Sequence, residues 1–453
     1  MRRIWSLGDR CLIWVIAAYP RNGLGYDPPT NDGLPLHYII GAEPMDTEGD
    51  AMDIDLDLTL TDEMLAIRES CHRFAEEVMR PLAAKLDRMD PEAVIAKDSP
   101  LWEGLEKYKA LGLVGMPECY GDDLSPAQRT LMHSIVCEEL AWGDVGLFIT
   151  YALYNMAPGI AKAYGRPDLV EFFRQRNEIC CLALTEPNHG SDMVAFPDAS
   201  FRDPKGRSDL RARRDGDDFI LNGQKAAWVS TGTIAGSGIV FATYENSKQG
   251  RADGAVFLMP FDLPGVSRGK PLDKLGQRTL NQGEIFFDNV RVPRQFFLMD
   301  GPDVYPHVLG ATLRDANIAM GQQFIGVARA AYEHALAYAK ERVQGGVPII
   351  QHQAVKLRLF NMFSKLTAAR SHVRRIAMAN AAKEGGVPFP YAATAKIVST
   401  QTCLDIAHEA ITLFGGYGLC REYPVEKLFR DARASLIEDG ENTMLALMSV
   451  SHF

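Results

Sequence analysis

The side chains best suited to move a proton lie near the C-terminal end. Glu438 and Asp439 stand together before Gly440, and Glu441 follows. A carboxylate works as a base when it is partly desolvated and within reach of the proton it takes. Acids this close raise one another's pKa values by like-charge repulsion. About twenty residues earlier, Leu413-Phe414-Gly415-Gly416-Tyr417-Gly418 places three glycines in four positions. Backbone without Cβ atoms comes close to a phosphate or a planar ring. Between these two features run Glu422-Tyr423-Pro424-Val425-Glu426-Lys427 and Arg430-Asp431-Ala432.

A second block of polar residues sits mid-chain. Ala183-Leu184-Thr185-Glu186-Pro187-Asn188-His189-Gly190-Ser191-Asp192 is followed by Leu221-Asn222-Gly223-Gln224-Lys225 and Trp228-Val229-Ser230-Thr231-Gly232. Phe286-Phe287-Asp288-Asn289-Val290-Arg291-Val292-Pro293 comes next, then Arg342 to Gly346 and His352-Gln353. In this order and at these spacings, from about Met52 to the end, the chain resembles the acyl-CoA dehydrogenase family of flavoproteins. The resemblance implies FAD, an acyl-CoA substrate oxidised to a 2,3-enoyl thioester, and electrons passed to an electron-transfer flavoprotein. It also implies a homo-oligomer, tetramer or dimer.

The same resemblance assigns roles. Asp439 stands where the family carries its catalytic glutamate, and Glu438, where tyrosine is common, is a rival base. Thr185 and Ser230 are expected on the polar edge of the isoalloxazine, Ser230 near its reactive nitrogen, with Trp228 packed against the ring on the acceptor's side. Ser191 is expected to hold a flavin phosphate oxygen or the acyl-CoA. Arg342, Gly415 and Gly416 are expected at the pyrophosphate of a neighbouring subunit's flavin, with Gln353 in the loop that reaches it. Gly440 and Asp315 fall on the substrate side. The chain departs from the family's pattern at Asp439, one methylene short, at Gly345 and Thr412, and at Ala316-Asn317 on the helix that carries the branched-chain members' base.

Chemistry points the same way as these motifs. No side chain accepts a hydride, so an oxidation of adjacent carbons needs a cofactor. A nicotinamide reading requires a glycine fingerprint between a strand and a helix, whereas Gly415-Gly416-Tyr417-Gly418 follows a helix. Two other readings stay open: a nitroalkane-oxidase-like flavoprotein using Asp439, which the Gly345-Gly346 and Ile349 to Gln353 segment resembles, and a non-redox acyl-CoA binder.

The elements that must position these residues change along the chain. Helical spacing marks Thr61 to Leu86, Leu101 to Leu111, Gln128 to Trp142 and Ala157 to Arg176. Short β-rich runs follow from Ile179 to Val292, interrupted at Ser200 to Asp218 by a polar stretch with five arginines. That stretch reads as a solvated hairpin, or as a loop facing CoA or another subunit. Helical signal returns over Leu313 to Val343, Ile350 to Lys383 and Pro390 to Leu413, broken at Gly345 to Pro348 and Gly385 to Pro388. The expected fold is α+β and mostly α: a helical domain over 52–180, a middle β-barrel domain over 181–300, and a C-terminal four-helix bundle over 301–453.

Composition sets outer bounds. The 453 residues carry a net charge of -10, which argues against a nucleic-acid partner. Eight cysteines without a CxxC pair point to reduced thiols rather than a metal site or disulfides, hence a reducing compartment. That means the cytoplasm in a bacterium or the mitochondrial matrix in a eukaryote. No apolar run approaches the roughly 18 residues of a membrane span. Residues 1–51 read as a disordered extension or a misassigned start ahead of Met52, with a transit segment as the alternative. Arg2-Arg3 and the Cys11 to Ala18 run resemble a secretory signal, but Trp5 and Arg10 interrupt it.

Overall fold

The computed structural model describes residues 56, 60–113, 120, 124–302 and 304–453. The extension and the start at Met52 lie outside the described residues.

Thr61 begins the first helix, its Oγ1 accepting from the Met64 amide at 3.3 Å, with Asp62 and Glu63 in the positive first turn. Helix α1 (Asp62–Phe74) passes through one π turn, Ala75–Met79, into α2 (Arg80–Leu86). Then come α3 (Pro91–Val94), α4 (Pro100–Ala110) and α5 (Pro126–Gly143). Ser125 and Gln128 start α5 with reciprocal side-chain and backbone bonds. After α6 (Val145–Ala152), the helix expected from Ala157 to Arg176 is two, α7 (Met156–Ala163) and α8 (Pro167–Arg176). Gly165 at φ +62° turns the chain, and Pro167 starts the second helix because it has no amide to donate to the first.

The middle segment forms a sheet from β1 (Cys180–Ala183), β2 (Arg211–Asp215), β3 (Asp218–Ser230), β4 (Ser237–Tyr244), β5 (Gly254–Pro260), β6 (Val266–Pro271), β7 (Gln282–Val292) and β8 (Phe297–Gly301). Their order is β6-β7-β3-β2-β4-β5-β8, with β1 parallel to the first half of β4. The expected barrel is not closed. β6 is an edge strand with Ser267 and Lys270 in solvent and Pro271 at its end, while β8 leads off towards the next helix instead of pairing with β6. The polar stretch does form a hairpin, Arg211–Asp215 pairing with Asp218 to Asn222. Its arginines are not all free: Arg207 donates to the Ser247 carbonyl at 2.8 Å. Phe219, Phe257 and Phe297 pack face and edge in the sheet's core, with ring centroids 4.9 to 5.8 Å apart.

The C-terminal segment holds the long helices α9 (Gly310–Glu341), α10 (Gln353–Ala382) and α11 (Phe389–Phe414), then α12 (Pro424–Ser435) and α13 (Asn442–Val450). The break between α9 and α10 is a small hairpin, β9 (Val343–Gln344) against β10 (Val347–Pro348), turned by Gly345 and Gly346 at positive φ. α11 packs along α9 and α10, and both α12 and α13 lie against α11. No described helix is long and apolar enough to cross a membrane.

Candidate active site

The turn between α12 and α13 carries the acids. Asp439 has φ +50° and Gly440 φ +95°, two successive left-handed residues. The positive φ favours glycine at 440, and an added Cβ would also come within 2.6 Å of the Leu445 side chain, which would have to shift. Two bundle helices hold this turn through adjacent carbonyls. Asn317 of α9 donates from Nδ2 to the Asp439 carbonyl at 3.2 Å, and Lys396 of α11 donates from Nζ to the Gly440 carbonyl at 2.5 Å. Both side chains are fully buried.

The three carboxylates are not equivalent. Burial pushes the Asp439 carboxyl above the usual aspartate range, partly offset by the Lys396 ammonium. Its oxygens accept no hydrogen bond from the described residues, and the residue is only half-buried. Glu438 is also raised by burial, but Gln277 donates to its Oε2 at 2.8 Å and Lys274 lies close. Glu441 loses some hydration, yet the Thr443 and Met444 amides that it caps hold its carboxyl below the glutamate range. Asp439 alone is a raised, unengaged carboxylate.

Beneath the turn, the Arg430-Asp431-Ala432 motif becomes an anchor. Lys427 bridges Asp144, the N-cap of α6, and Asp431, at 2.6 Å from the latter. Burial works against this ammonium, but the two carboxylates outweigh it and hold its pKa well above the lysine value. Asp431 accepts the Gln277 amide at 2.5 Å, and Gln277 in turn reaches Glu438. Arg430 makes a bidentate contact to Asp87 at 2.7 and 3.0 Å. All three parts of the chain therefore meet behind the acids.

The mid-chain block is held by bonds of its own. Glu186 and Lys225, both completely buried, pair at 2.6 Å, and Lys225 also donates to the Leu184 carbonyl. The Ala226 amide donates to the Thr185 carbonyl at 3.0 Å, so the pair and this bond hold Thr185 beside the end of β3. There a bulge after Lys225 turns Trp228 outward, 56% exposed. Ser230 is half-buried and its Oγ accepts from Gln282 Nε2 at 3.1 Å. Ser191 is exposed at the start of a short 3-10 turn that packs against α13, steadied by Asp192, which accepts from Arg251 at 2.6 Å. Glu186, His189 and Asp209 cluster closely enough to resemble a cation site, but Lys225 on Glu186 and Arg251 at 2.9 Å from His189 already fill it with positive charge.

The remaining expected residues are exposed. Arg342 ends α9 with its guanidinium 5.6 Å from the Tyr417 ring, beside the Gly415 turn. Gln353 begins α10 and is exposed. A Cβ on Gly415 or Gly416 would meet nothing within 4 Å; the glycines face open space. Asp315 is exposed on α9, its carboxylate engaged with Arg314 and Asn380.

An FAD fits this donor set. The chemistry suits it: Thr185 and Ser230 offer hydroxyls, Trp228 an exposed ring, Gln277, Asn281 and Asn317 buried polar atoms that no described residue satisfies, and Gly415 and Gly416 meet nothing within 4 Å of an added Cβ. The sequence motifs did not single out Lys396, Lys274, Gln277 or Gln282. Lys396 had a signal: a lone charge on the buried face of α11 shared by Ala392, Ser399 and Cys403.

Family models for the acyl-CoA dehydrogenase N-terminal, middle and C-terminal domains match residues 61–170, 181–290 and 307–451. The mitochondrial short-chain specific acyl-CoA dehydrogenase of Mus musculus is 31% identical over 406 residues, spanning 88% of this chain and 91% of that protein. The solved structure of butyryl-CoA dehydrogenase from Megasphaera elsdenii aligns with TM-score 0.75 and 27% identity, covering 88% of this chain and 99% of that one. A chain in the structure described as the electron transferring flavoprotein of Acidaminococcus fermentans aligns with TM-score 0.74 and 27% identity, covering 88% and 99%.

Proposed function

This chain belongs to the acyl-CoA dehydrogenase family, and we propose that it oxidises a short acyl-CoA thioester to the 2,3-enoyl-CoA with Asp439 as the base. The state of the Asp439 carboxylate carries this reading: raised by burial, without a hydrogen bond from any described residue, and only half-buried. FAD, when bound, supplies the hydride acceptor that no side chain provides. Asp439 takes the proton α to the thioester carbonyl, and its raised pKa makes its anion a stronger base than a solvated aspartate. Glu438 is passed over because Gln277 and Lys274 hold it towards the middle segment.

Thr185, Trp228 and Ser230 would hold the isoalloxazine, and Ser191 the phosphate or the acyl-CoA. Arg342, Gln353, Gly415 and Gly416 would serve a flavin of a second subunit, in a homo-oligomer. The exposed Val343, Leu357 and Phe360 suit burial between subunits. An electron-transfer flavoprotein is the proposed acceptor, approaching at the exposed Trp228; the likeness to the Acidaminococcus structure supports it. The mouse and Megasphaera relatives are the reason to place short chains first.

The test is an anaerobic titration of the yellow protein with a panel of acyl-CoAs, following the visible flavin band. Bleaching by short thioesters is the expected result. Retained oxidised flavin with every thioester would overturn the reading. Asp439→Asn should keep FAD and abolish bleaching; normal bleaching in that variant would move the base to Glu438.

A further inference from the structure

Behind Ser230 runs a file of polar side chains whose far end, Lys274, also lies close to Glu438. Lys274 donates from Nζ to Gln282 Oε1 at 2.8 Å and to the Leu280 carbonyl at 2.7 Å. Gln282, buried at 2% exposure, donates from Nε2 to Ser230 Oγ at 3.1 Å. An ammonium has donors and no acceptor. The end of the Gln282 amide that faces Lys274 must therefore be its carbonyl, which leaves the NH2 end for Ser230. A hydroxyl that accepts on one side has its own proton free for another partner.

We propose that Lys274 and Gln282 are positioning residues that fix the Ser230 hydroxyl as a hydrogen-bond donor, so that it selects an acceptor atom on the oxidised flavin's polar edge. This rests on the reading that Ser230 meets the flavin. That edge offers mainly acceptors, its carbonyl oxygens and unprotonated ring nitrogens, beside a single N–H. A serine free to rotate would satisfy either kind; the lysine at the far end of the file removes the choice. Burial lowers the Lys274 pKa to about 8, so the ammonium is charged at neutral pH.

The decisive variant is Gln282→Glu, which keeps the shape but replaces the amide with two acceptors. The carboxylate would accept from Lys274 and also from the Ser230 hydroxyl, reversing the polarity of the file. FAD affinity of the apoprotein, the holoprotein's visible spectrum and its flavin midpoint potential are measured for Ser230→Ala, Gln282→Glu and Lys274→Met, with thermal melts to confirm folding. Ser230→Ala and Gln282→Glu should each weaken FAD roughly fivefold to tenfold, as for one lost hydrogen bond, and displace the flavin band in the same direction. Lys274→Met, which leaves the amide free to flip, should lie between these and the wild type. Wild-type affinity, spectrum and potential in Gln282→Glu, with Ser230→Ala impaired, would overturn the relay. Should Gln282→Glu not fold, wild-type behaviour of Lys274→Met beside an impaired Ser230→Ala would do so. If Ser230→Ala itself changes nothing, the placement of Ser230 at the flavin fails, and the relay with it.

Discussion

Lys396→Met separates the positioning of the proposed base, Asp439, from the stability of the fold. Lys396 has no solvent exposure, and burial lowers its ammonium pKa from 10.5 to about 8. A pKa difference of about 2.5, at about 1.4 kcal/mol each, makes the charged form cost about 3–4 kcal/mol at neutral pH. Methionine of similar volume removes that cost and leaves the Gly440 carbonyl without its donor, a loss of about 1–3 kcal/mol. The balance favours the variant by about 0–3 kcal/mol, so unfolding in urea near pH 7 should find it at least as stable as the wild type. The sign changes with pH. Between about 8 and 10.5 the unfolded lysine binds more protons than the folded one, so wild-type stability rises with pH. By about pH 10 the variant should therefore be the less stable protein. Activity should fall at every pH. With one of its two clamps gone, the turn holding Asp439 at φ +50° relaxes, and a shift of about 1 Å costs about a hundredfold in rate. Losing the cation also disfavours the Asp439 anion, so the remaining activity should rise at higher pH than in the wild type. Stopped-flow flavin reduction at saturating thioester, between about pH 6 and about pH 9, reads both effects. A folded, FAD-loaded Lys396→Met that reduces its flavin at the wild-type rate would refute the clamp.

Other outcomes follow from the same geometry. Asp439→Glu should bind FAD normally but lose about a hundredfold in flavin reduction, because the longer side chain displaces the carboxylate by about 1 Å; full activity would mean that the turn adapts freely. In the wild type the reduction rate should rise with pH through an ionisation above the ordinary aspartate value, since the base must be deprotonated and burial raises its pKa; a limb at or below that value would assign the rate to another group. Lys427→Met should destabilise by about 3–5 kcal/mol, because Asp144 and Asp431 would remain buried without their partner. Thermal unfolding checks this, and an unchanged midpoint would show that the two carboxylates find other donors.

The order of helical, β and helical segments and the acid pair at Glu438-Asp439 were legible in the sequence, whereas several other features were written locally and were not singled out. Thr61, Ser125 and Glu441 cap helices because their acceptors lie two or three residues from the amides they serve. Lys427 and Asp431 pair across one helical turn. Gly165 and Pro167 also carried a local signal, and the helical spacing on both sides concealed it. The open sheet was not legible, since closure depends on whether two strands far apart in sequence meet. Nor was the clamp: Asn317, Lys396 and Gly440 come from three separate helices and turns, and only packing makes an isolated lysine in an apolar stripe into a donor for the base-bearing turn.

The same packing gives a physical reason for aspartate at position 439. The residue sits at φ +50°, a region that aspartate and asparagine enter more readily than longer side chains, because a short polar side chain can bond locally there. A shorter side chain on a left-handed turn projects its carboxylate differently from a longer one on a relaxed turn. The clamp then supplies the rigidity that such a conformation requires, from two helices that both belong to the bundle. On this view aspartate at the proposed base and the buried Lys396 belong to one arrangement. Asp439→Glu combined with Lys396→Met should therefore lose less activity than the product of the two single losses, since a turn already freed can adjust to the longer side chain. A double variant as impaired as that product predicts would make the two sites independent and remove this explanation of the aspartate.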